Sequence, residues 1–434
     1  MTKLFGTDGI RGIVNQDLSI ELLNKIGKCL SLFKINKVII GQDTRVSSPL
    51  LSFALISSCL SLGLNVYDEG VITTPCLSYL SEKLNSIGVM ITASHNPFYY
   101  NGVKIFINGK KLTKEQEKLI ENSIDNEFSL DNSIGLYKQS NLKYKYFTLL
   151  NKHKNKYHHL KIGLDCANGA TSYLARNVYK TITNSLYIFN NLPNGYNIND
   201  NVGSTCIDTM VTYVDKHKLD IGFSYDGDGD RVIAVSKSGQ VINGNLIIYI
   251  LALYFFDYLG YSNRTIVLTK DSNLGVIESF NKIKVKVLLS DVGDSNVKQL
   301  MKENNVILGG EDSGHIISPY SQYGDGILTS LLLLNALHAL DKNLDYFSDK
   351  LEIYPYVKYN ISKYDKNILK EPSIIELIQQ IKEAFSSYGV VLIRPSGTEN
   401  LIRIYMCHQN KDILNKYNDL LENTLETVGQ KYER

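Results

Sequence analysis

LDIGFSYDGDGDR, Leu219 to Arg231, is the stretch whose reading decides the fold. Residues 219–225 form an apolar run of strand length, and residues 226–231 form a charged loop punctuated by Gly227 and Gly229. The run predicts a buried strand that delivers polar groups at its carboxyl end. The same pairing recurs along the chain. VII at 38–40 leads into GQDTR, GVMI at 88–91 into TASHNP, and KIGLD at 161–165 into CANGA. TIVLT at 265–269 leads into KDSN, and VVLI at 390–393 into RPSGTE. Helical patterns lie between them, such as SPLLSFALISSCLSLG, with serine and proline at its start and Gly63 at its end. Strands alternating with helices predict an α/β architecture with largely parallel sheets, whose ligands sit beyond the strands' carboxyl ends. Strand ends followed by Asp43, Asp165 and Asp226 hint at a repeated unit.

Composition narrows the function classes. The chain has 434 residues, room for about three domains of roughly 150 residues each. A net charge of +2 gives no reason to expect nucleic acid or a membrane as partner. Cys29, Cys59, Cys76, Cys166, Cys206 and Cys407 form no C-x-x-C pair, which suits free thiols in a reducing cytoplasm. The segment MTKLFGTDGIRG has no apolar signal core, so the expected location is cytoplasmic. LIIYILALYFF, 246–256, stops short of the ~20 residues a membrane span needs and reads as a buried helix. Residues 141–161, NLKYKYFTLLNKHKNKYHHLK, read as a solvated linker with snorkelling lysines, and a domain boundary is expected there.

The strongest chemical signal is Asp226, Asp228 and Asp230. Three carboxylates separated only by glycines are a costly cluster of like charge unless a cation sits among them. Hard oxygen ligands suit Mg²⁺ or Ca²⁺. A calcium EF-hand loop needs Gly at its sixth position and Glu at its twelfth, where this chain has Arg231 and Lys237. A solvated acidic turn is the bland alternative, and the buried-looking strand ahead of the loop argues against it. Arg394, Ser396, Gly397, Thr398 and Glu399, with Arg403, can wrap the oxygens of a phosphate monoester. Taken alone, the same residues read equally as plain turn chemistry. No P-loop competes for a nucleotide. Glu311, Ser313 and His315 in GEDSGH can bind sugar hydroxyls or simply cap a turn, and Asp325 in GDG is equally ambiguous alone.

TASHNP places Ser94 beside His95, which invites a hydrolase reading. Adjacent side chains on an extended segment point to opposite faces, and no G-x-S-x-G elbow surrounds Ser94. A helix-starting serine with Asn-Pro turn chemistry is the remaining bland reading. The companion loops weigh against it, as does Lys104 in GVKIF just downstream.

Together the segments resemble the α-D-phosphohexomutase superfamily, most closely its phosphoglucosamine mutase branch. The resemblance rests on FGTDGIRG at 5–12, TASHNPFYYNGVKIF at 92–106, DCANGAT at 165–171 and PNGYNIN at 193–199. It continues through DGDGDRV at 226–232, GGEDSGHI at 309–316, GDG at 324–326 and RPSGTENLIRI at 394–404. It implies three related α/β domains with mixed, largely parallel sheets, plus a smaller C-terminal α+β domain, around a central cleft. The expected boundaries are 1–138 for the phosphoserine loop, 152–250 for the metal loop, 254–355 for the sugar loop and 360–434 for the phosphate loop.

The resemblance also implies chemistry. Ser94 would carry a phosphoryl group and complete the shell of one Mg²⁺ with Asp226, Asp228 and Asp230. Glu311, Ser313, His315 and Asp325 would hold the sugar. Arg394, Ser396, Gly397, Thr398, Glu399 and Arg403 would hold its non-reacting phosphate. Three carboxylates and a phosphoserine of about −2 outweigh one Mg²⁺, so cations are required. Arg11, Lys104 and Arg231 are the candidates, with His95 as a donor. The implied reaction interconverts glucosamine 6-phosphate and glucosamine 1-phosphate through a 1,6-bisphosphate, for UDP-N-acetylglucosamine synthesis. Other readings are a phosphomannomutase or phosphoglucomutase of the same superfamily, or a phosphoserine-dependent sugar phosphatase. Loading of Ser94 by a kinase or by self-phosphorylation, and a monomer or a homodimer, are equally compatible. Two segments depart from the branch's pattern: Asp312 stands where Asn or Gln is usual, and VGDSNV at 292–297 lacks an Arg and a Tyr.

Overall fold

Ile87–Ile91 is buried at every position, as a strand with covered faces must be. It lies inside the first of four sheets in a computed structural model that describes residues 4–6, 8–129, 133–396 and 401–432. That sheet runs Ile10–Ile13, Tyr100–Ile107, Ile87–Ile91, Lys37–Gln42, Asn65–Val71, Tyr137–Gln139, with Lys110–Lys111 paired to Tyr100–Ile107 off the path. Its last four strands are mutually parallel, and Tyr100–Ile107 is antiparallel to both neighbours.

The second sheet runs Val241–Ile242, Val232–Ser236, Ile221–Tyr225, Lys161–Asp165, Ser185–Phe189. Its last three strands are parallel. The DGDGDR loop is too short for a crossover, so Val232–Ser236 returns antiparallel beside Ile221–Tyr225. The third sheet runs Lys286–Ser290, Thr265–Thr269, Leu308–Gly310, Ile316–Ile317, again parallel until its last strand. The fourth, Tyr356–Ile361, Ile402–His408, Gly389–Pro395, is wholly antiparallel. Its apolar face packs on the helices Pro372–Phe385 and Lys411–Gly429 around a separate core of Ile374, Ile381, Ile402 and Leu421. Three mixed α/β units and a smaller α+β unit are what the family resemblance implies.

One continuous core joins the first three units, from Leu77 and Phe106 through Leu164 and Ile247 to Leu268 and Leu331. The 246–256 run is buried, in the helix Gly244–Leu253 and the π-helical turn Tyr254–Tyr258 that extends it. Among the described residues, no helix is long and apolar enough to cross a membrane. All six cysteines are unpaired.

The 141–161 segment corrects its reading as a solvated linker. Lys143–His153 is a helix that turns Tyr146 and Leu150 inward, both fully buried, against the helices Thr74–Lys83 and Gly326–Ala339. The lysines alternate with the i, i+4 apolar pair and mask it.

Asp325 is corrected too. Instead of facing a sugar, it is 2% exposed and caps the helix Gly326–Ala339 by accepting from Leu328 N at 2.9 Å. Both its carboxylate oxygens lie 2.8 Å from the Tyr146 hydroxyl. Gly326 N, next in line, donates to Gly229 O at 3.0 Å, so the cap braces the metal loop from behind. Burial raises the Asp325 carboxyl to about 6. A carboxyl raised in the fold binds its proton more tightly there than in the unfolded chain. Its contribution to stability is therefore present at low pH and lost as pH rises through about 6. Asp325→Asn keeps the cap and removes the titration. Relative to the parent it is expected to gain about 3 kcal/mol between pH 4 and pH 7, from about two pKa units at 1.36 kcal/mol each. Denaturant melts at the two pH values check this, and a pH-independent difference would refute it.

Candidate active site

In the DGDGDR loop, Asp226 is bonded through both carboxylate oxygens, whereas Asp228 and Asp230 each keep one oxygen for the protein. Asp226 accepts from Arg231 N on Oδ1 at 3.2 Å and from Ser94 Oγ on Oδ2 at 2.6 Å. Asp228 Oδ2 takes Thr74 Oγ1 at 2.6 Å and Lys104 Nζ at 2.8 Å. Asp230 Oδ2 takes Tyr323 OH at 3.0 Å and Lys104 Nζ at 3.1 Å. Asp228 Oδ1 and Asp230 Oδ1 are buried and, among the described residues, have no hydrogen-bond donor. One oxygen from each of the three residues lies within 4.8 Å of the others. Gly227 makes this approach possible, because a Cβ there would sit 2.6 Å from Ser94 O.

The electrostatics call for a cation. Burial, with Asp230 and Asp228 beside it, holds the Asp226 carboxyl well above the usual carboxylate range. Burial pushes Asp230 up as well, but Lys104, His315 and Arg231 outweigh it and hold that carboxyl low. Orphaned carboxylate oxygens facing a third that grips a serine hydroxyl fit a hard divalent ion such as Mg²⁺.

Ser94 has φ 53°, a left-handed backbone uncommon for a residue with a side chain. Both of its peptide groups are pinned. Its N–H donates to Thr92 Oγ1 at 2.9 Å, and its carbonyl accepts from Arg45 Nη2 at 3.0 Å and Asn199 Nδ2 at 2.9 Å. The bent backbone corrects the expectation that the Ser94 and His95 side chains diverge, since His95 Nδ1 lies 3.4 Å from Ser94 Oγ. Burial, then Arg231 and Arg11, push His95 down to about 3, so the imidazole is neutral near pH 7.

The structure gathers Arg11, Ser94, His95, Lys104, the three aspartates, Arg231 and His315 at one place. Arg11 Nε and Arg231 Nε are buried without a hydrogen-bond acceptor among the described residues. The Arg231 and His315 backbones form a bridge between the second and third units. His315 is 3% exposed, and among the described residues neither ring nitrogen has a hydrogen-bond partner. Ser313 Oγ is likewise buried and unpartnered, while Glu311 Oε1 accepts from Gly293 N at 3.1 Å. Asp312 is exposed, 3.3 Å from Asn245 Nδ2.

Arg394, Ser396 and Arg403 lie apart from this cluster, on the fourth sheet. Arg394 and Arg403 stand directly opposite each other across antiparallel strands. Gly397, Thr398 and Glu399 fall outside the described residues. The fourth sheet meets the third unit through Lys358 Nζ, 3.7 Å from Asp271 Oδ2, and Gln409 Nε2, 3.1 Å from Glu278 Oε1.

Four domain profiles of the phosphoglucomutase/phosphomannomutase family match in order. The alpha/beta/alpha domains I, II and III match residues 2–131, 143–239 and 243–354, and the C-terminal domain matches 357–423. A phosphoglucosamine mutase of Geobacillus kaustophilus is 38% identical over 96% of this chain and 97% of that relative. The chain belongs to the phosphohexomutase family, in its phosphoglucosamine mutase branch. A phosphoglucomutase/phosphomannomutase family protein of Burkholderia thailandensis has the same fold, with TM-score 0.82 at 22% identity over 98% of this chain and 97% of that one. Aspergillus fumigatus N-acetylphosphoglucosamine mutase, solved with GlcNAc-6P and magnesium, superposes with TM-score 0.68 at 16% identity, covering 98% of this chain and 96% of that one.

Several groups in this phosphohexomutase's site escaped the sequence reading. Asp8, inside FGTDGIRG, binds Arg11 and Lys111 and lies 3.1 Å from Lys104 Nζ. Burial raises its carboxyl, but Lys104, Lys111 and Arg11 outweigh that and hold it well below the carboxylate range. Lys111 reaches Asp294 of the departing VGDSNV segment at 2.6 Å, so that segment touches the first unit. Asp43 and Arg45 sit behind the serine loop, both 1% exposed. Only the strand-end position of GQDTR signalled them.

Proposed function

We propose that the chain interconverts glucosamine 6-phosphate and glucosamine 1-phosphate by way of a phosphorylated Ser94 and a 1,6-bisphosphate. The observation that carries this reading is Ser94 Oγ held 2.6 Å from Asp226 Oδ2, facing two donorless carboxylate oxygens. Asp226, Asp228, Asp230 and Ser94 would hold one Mg²⁺, which supplies charge neutralisation on the phosphoryl oxygens when bound. Lys104, Arg11 and Arg231 surround the same oxygens with positive charge, and such electrostatic positioning does most of the work in phosphoryl transfer. The P–O bond to Ser94 breaks as the sugar's 1-hydroxyl oxygen bonds phosphorus. The hydroxyl proton ends on Ser94 Oγ, with neutral His95 close enough to relay it. The bisphosphate then turns over, returns its 6-phosphoryl group to Ser94 and leaves the 1-phosphate. Glu311, Ser313 and His315 are the sugar ligands in this reading, and the opposed Arg394 and Arg403, with Ser396, grip the non-reacting phosphate. The exposed Asp312 carboxylate suits a substrate ammonium.

A panel of glucosamine, glucose and mannose 6-phosphates followed by ³¹P NMR tests the proposal. Glucosamine 1-phosphate is expected to form fastest, only with Mg²⁺ present, and Asp312→Asn is expected to narrow that preference. Faster turnover of glucose or mannose 6-phosphate would overturn the amino-sugar assignment. Inorganic phosphate without sugar 1-phosphate would replace the mutase by a phosphatase.

A further inference from the structure

Tyr323 belongs to the third unit, on the loop between Ile316–Ile317 and the helix Gly326–Ala339, yet its phenol ends in the metal loop of the second. It is 4% exposed. Its hydroxyl donates to Asp230 Oδ2 at 3.0 Å and accepts from Lys104 Nζ at 3.3 Å. Its ring meets His315 edge to face with centroids 4.9 Å apart, and Phe106 likewise at 5.5 Å. The ammonium groups of Lys104 and Lys111 lie 5.7 and 5.1 Å from its centroid, within cation–π range. One side chain thus joins all three α/β units where Ser94 faces the aspartates.

The consequence concerns which oxygen Asp230 offers to a metal. Oδ2 is occupied by two donors, Tyr323 and Lys104, and Oδ1 is left without one. Asp228 is held in the same way by Thr74 and Lys104. Partners of this kind orient a ligand and fix its geometry. We infer that Tyr323 is a positioning residue for the metal and for phosphoryl transfer: its hydroxyl turns Asp230 Oδ1 forward, and its ring seats the His315 imidazole. This rests on reading Asp226, Asp228 and Asp230 as metal ligands.

Titration of dephosphorylated full-length protein with Mn²⁺, read by electron paramagnetic resonance, tests the inference alongside steady-state kinetics. Tyr323→Phe keeps the ring and removes the hydroxyl. It is expected to weaken Mn²⁺ binding ~10-fold and lower kcat ~10- to 100-fold, with KM for the sugar phosphate within about twofold. Tyr323→Leu is expected to do the same and also raise KM, because His315 loses its seat. Asp228→Ala separates the two layers of the argument. If it binds Mn²⁺ like the parent, the metal reading fails. If it loses Mn²⁺ while both Tyr323 variants keep parental Mn²⁺ affinity and kcat, the role of Tyr323 alone is overturned. A lowered melting temperature in those variants with affinity and kcat unchanged would likewise reduce Tyr323 to a structural residue.

Discussion

Ser94→Ala is expected to reduce sugar-phosphate turnover to background, a loss of roughly 10⁴-fold or more, with the fold intact. The size follows because the neighbouring threonine hydroxyls of Thr92 and Thr74 are already engaged. Thr92 Oγ1 is spent on Asp43 Oδ2 at 2.7 Å and on Ser94 N. Thr74 Oγ1 is spent on Asp228 Oδ2, on the side away from the open oxygens. Neither can take a phosphoryl group without breaking the support of the loop. The stability change should stay small, because alanine tolerates φ 53° about as well as serine does. Incubation with glucose 1,6-bisphosphate should add the mass of one phosphoryl group to the parent and none to the variant. A Ser94→Ala protein that turns over within tenfold of the parent would end the phosphoserine mechanism.

What the sequence disclosed and what it hid divide along contact range. Asp226, Asp228 and Asp230 are legible because a single loop carries them and their spacing alone is costly. The alternation of buried runs and helical patterns is local too, and it predicts an α/β architecture with largely parallel sheets. Tyr323 was illegible because its partners lie 93 and 219 residues away in sequence. Asp8 reaches Lys111 across 103 residues. The left-handed position itself is held by Ser94 rather than by a glycine or asparagine, so the residues alone read as an extended segment. Tyr146 and Leu150 were hidden by the lysines around them, and Asp325 by a GDG motif whose polar residue caps a helix. Each miss is a place where long-range packing sets the role of an ordinary residue.

The second large effect belongs to such a residue. Arg45 is 1% exposed and uses all five guanidinium donors. Nε binds Asp43 Oδ2 at 2.9 Å, Nη1 binds Pro97 O and, at 3.0 Å, Tyr100 O, and Nη2 binds Ser94 O at 3.0 Å and Asn96 O at 2.8 Å. Four of these acceptors are carbonyls of the serine loop, so the planar fork dictates the loop's path. Arg45→Ala would leave the Asp43 carboxylate, 1% exposed, without its counter-charge. Breaking a buried pair in this way typically costs about 3–5 kcal/mol. Asn199 Nδ2 still holds the Ser94 and Asn96 carbonyls, at 2.9 and 3.1 Å, but Pro97 O and Tyr100 O lose the guanidinium. A loop displaced by about 1 Å loses on the order of 10²-fold in rate, so kcat should fall by that much with KM nearly constant. Arg45→Lys separates the two consequences. One ammonium can satisfy Asp43 and restore most of the stability, but it cannot span four carbonyls, so kcat should stay low. Parental kcat in Arg45→Lys would show that charge balance alone, and not the fork, holds Ser94 in place.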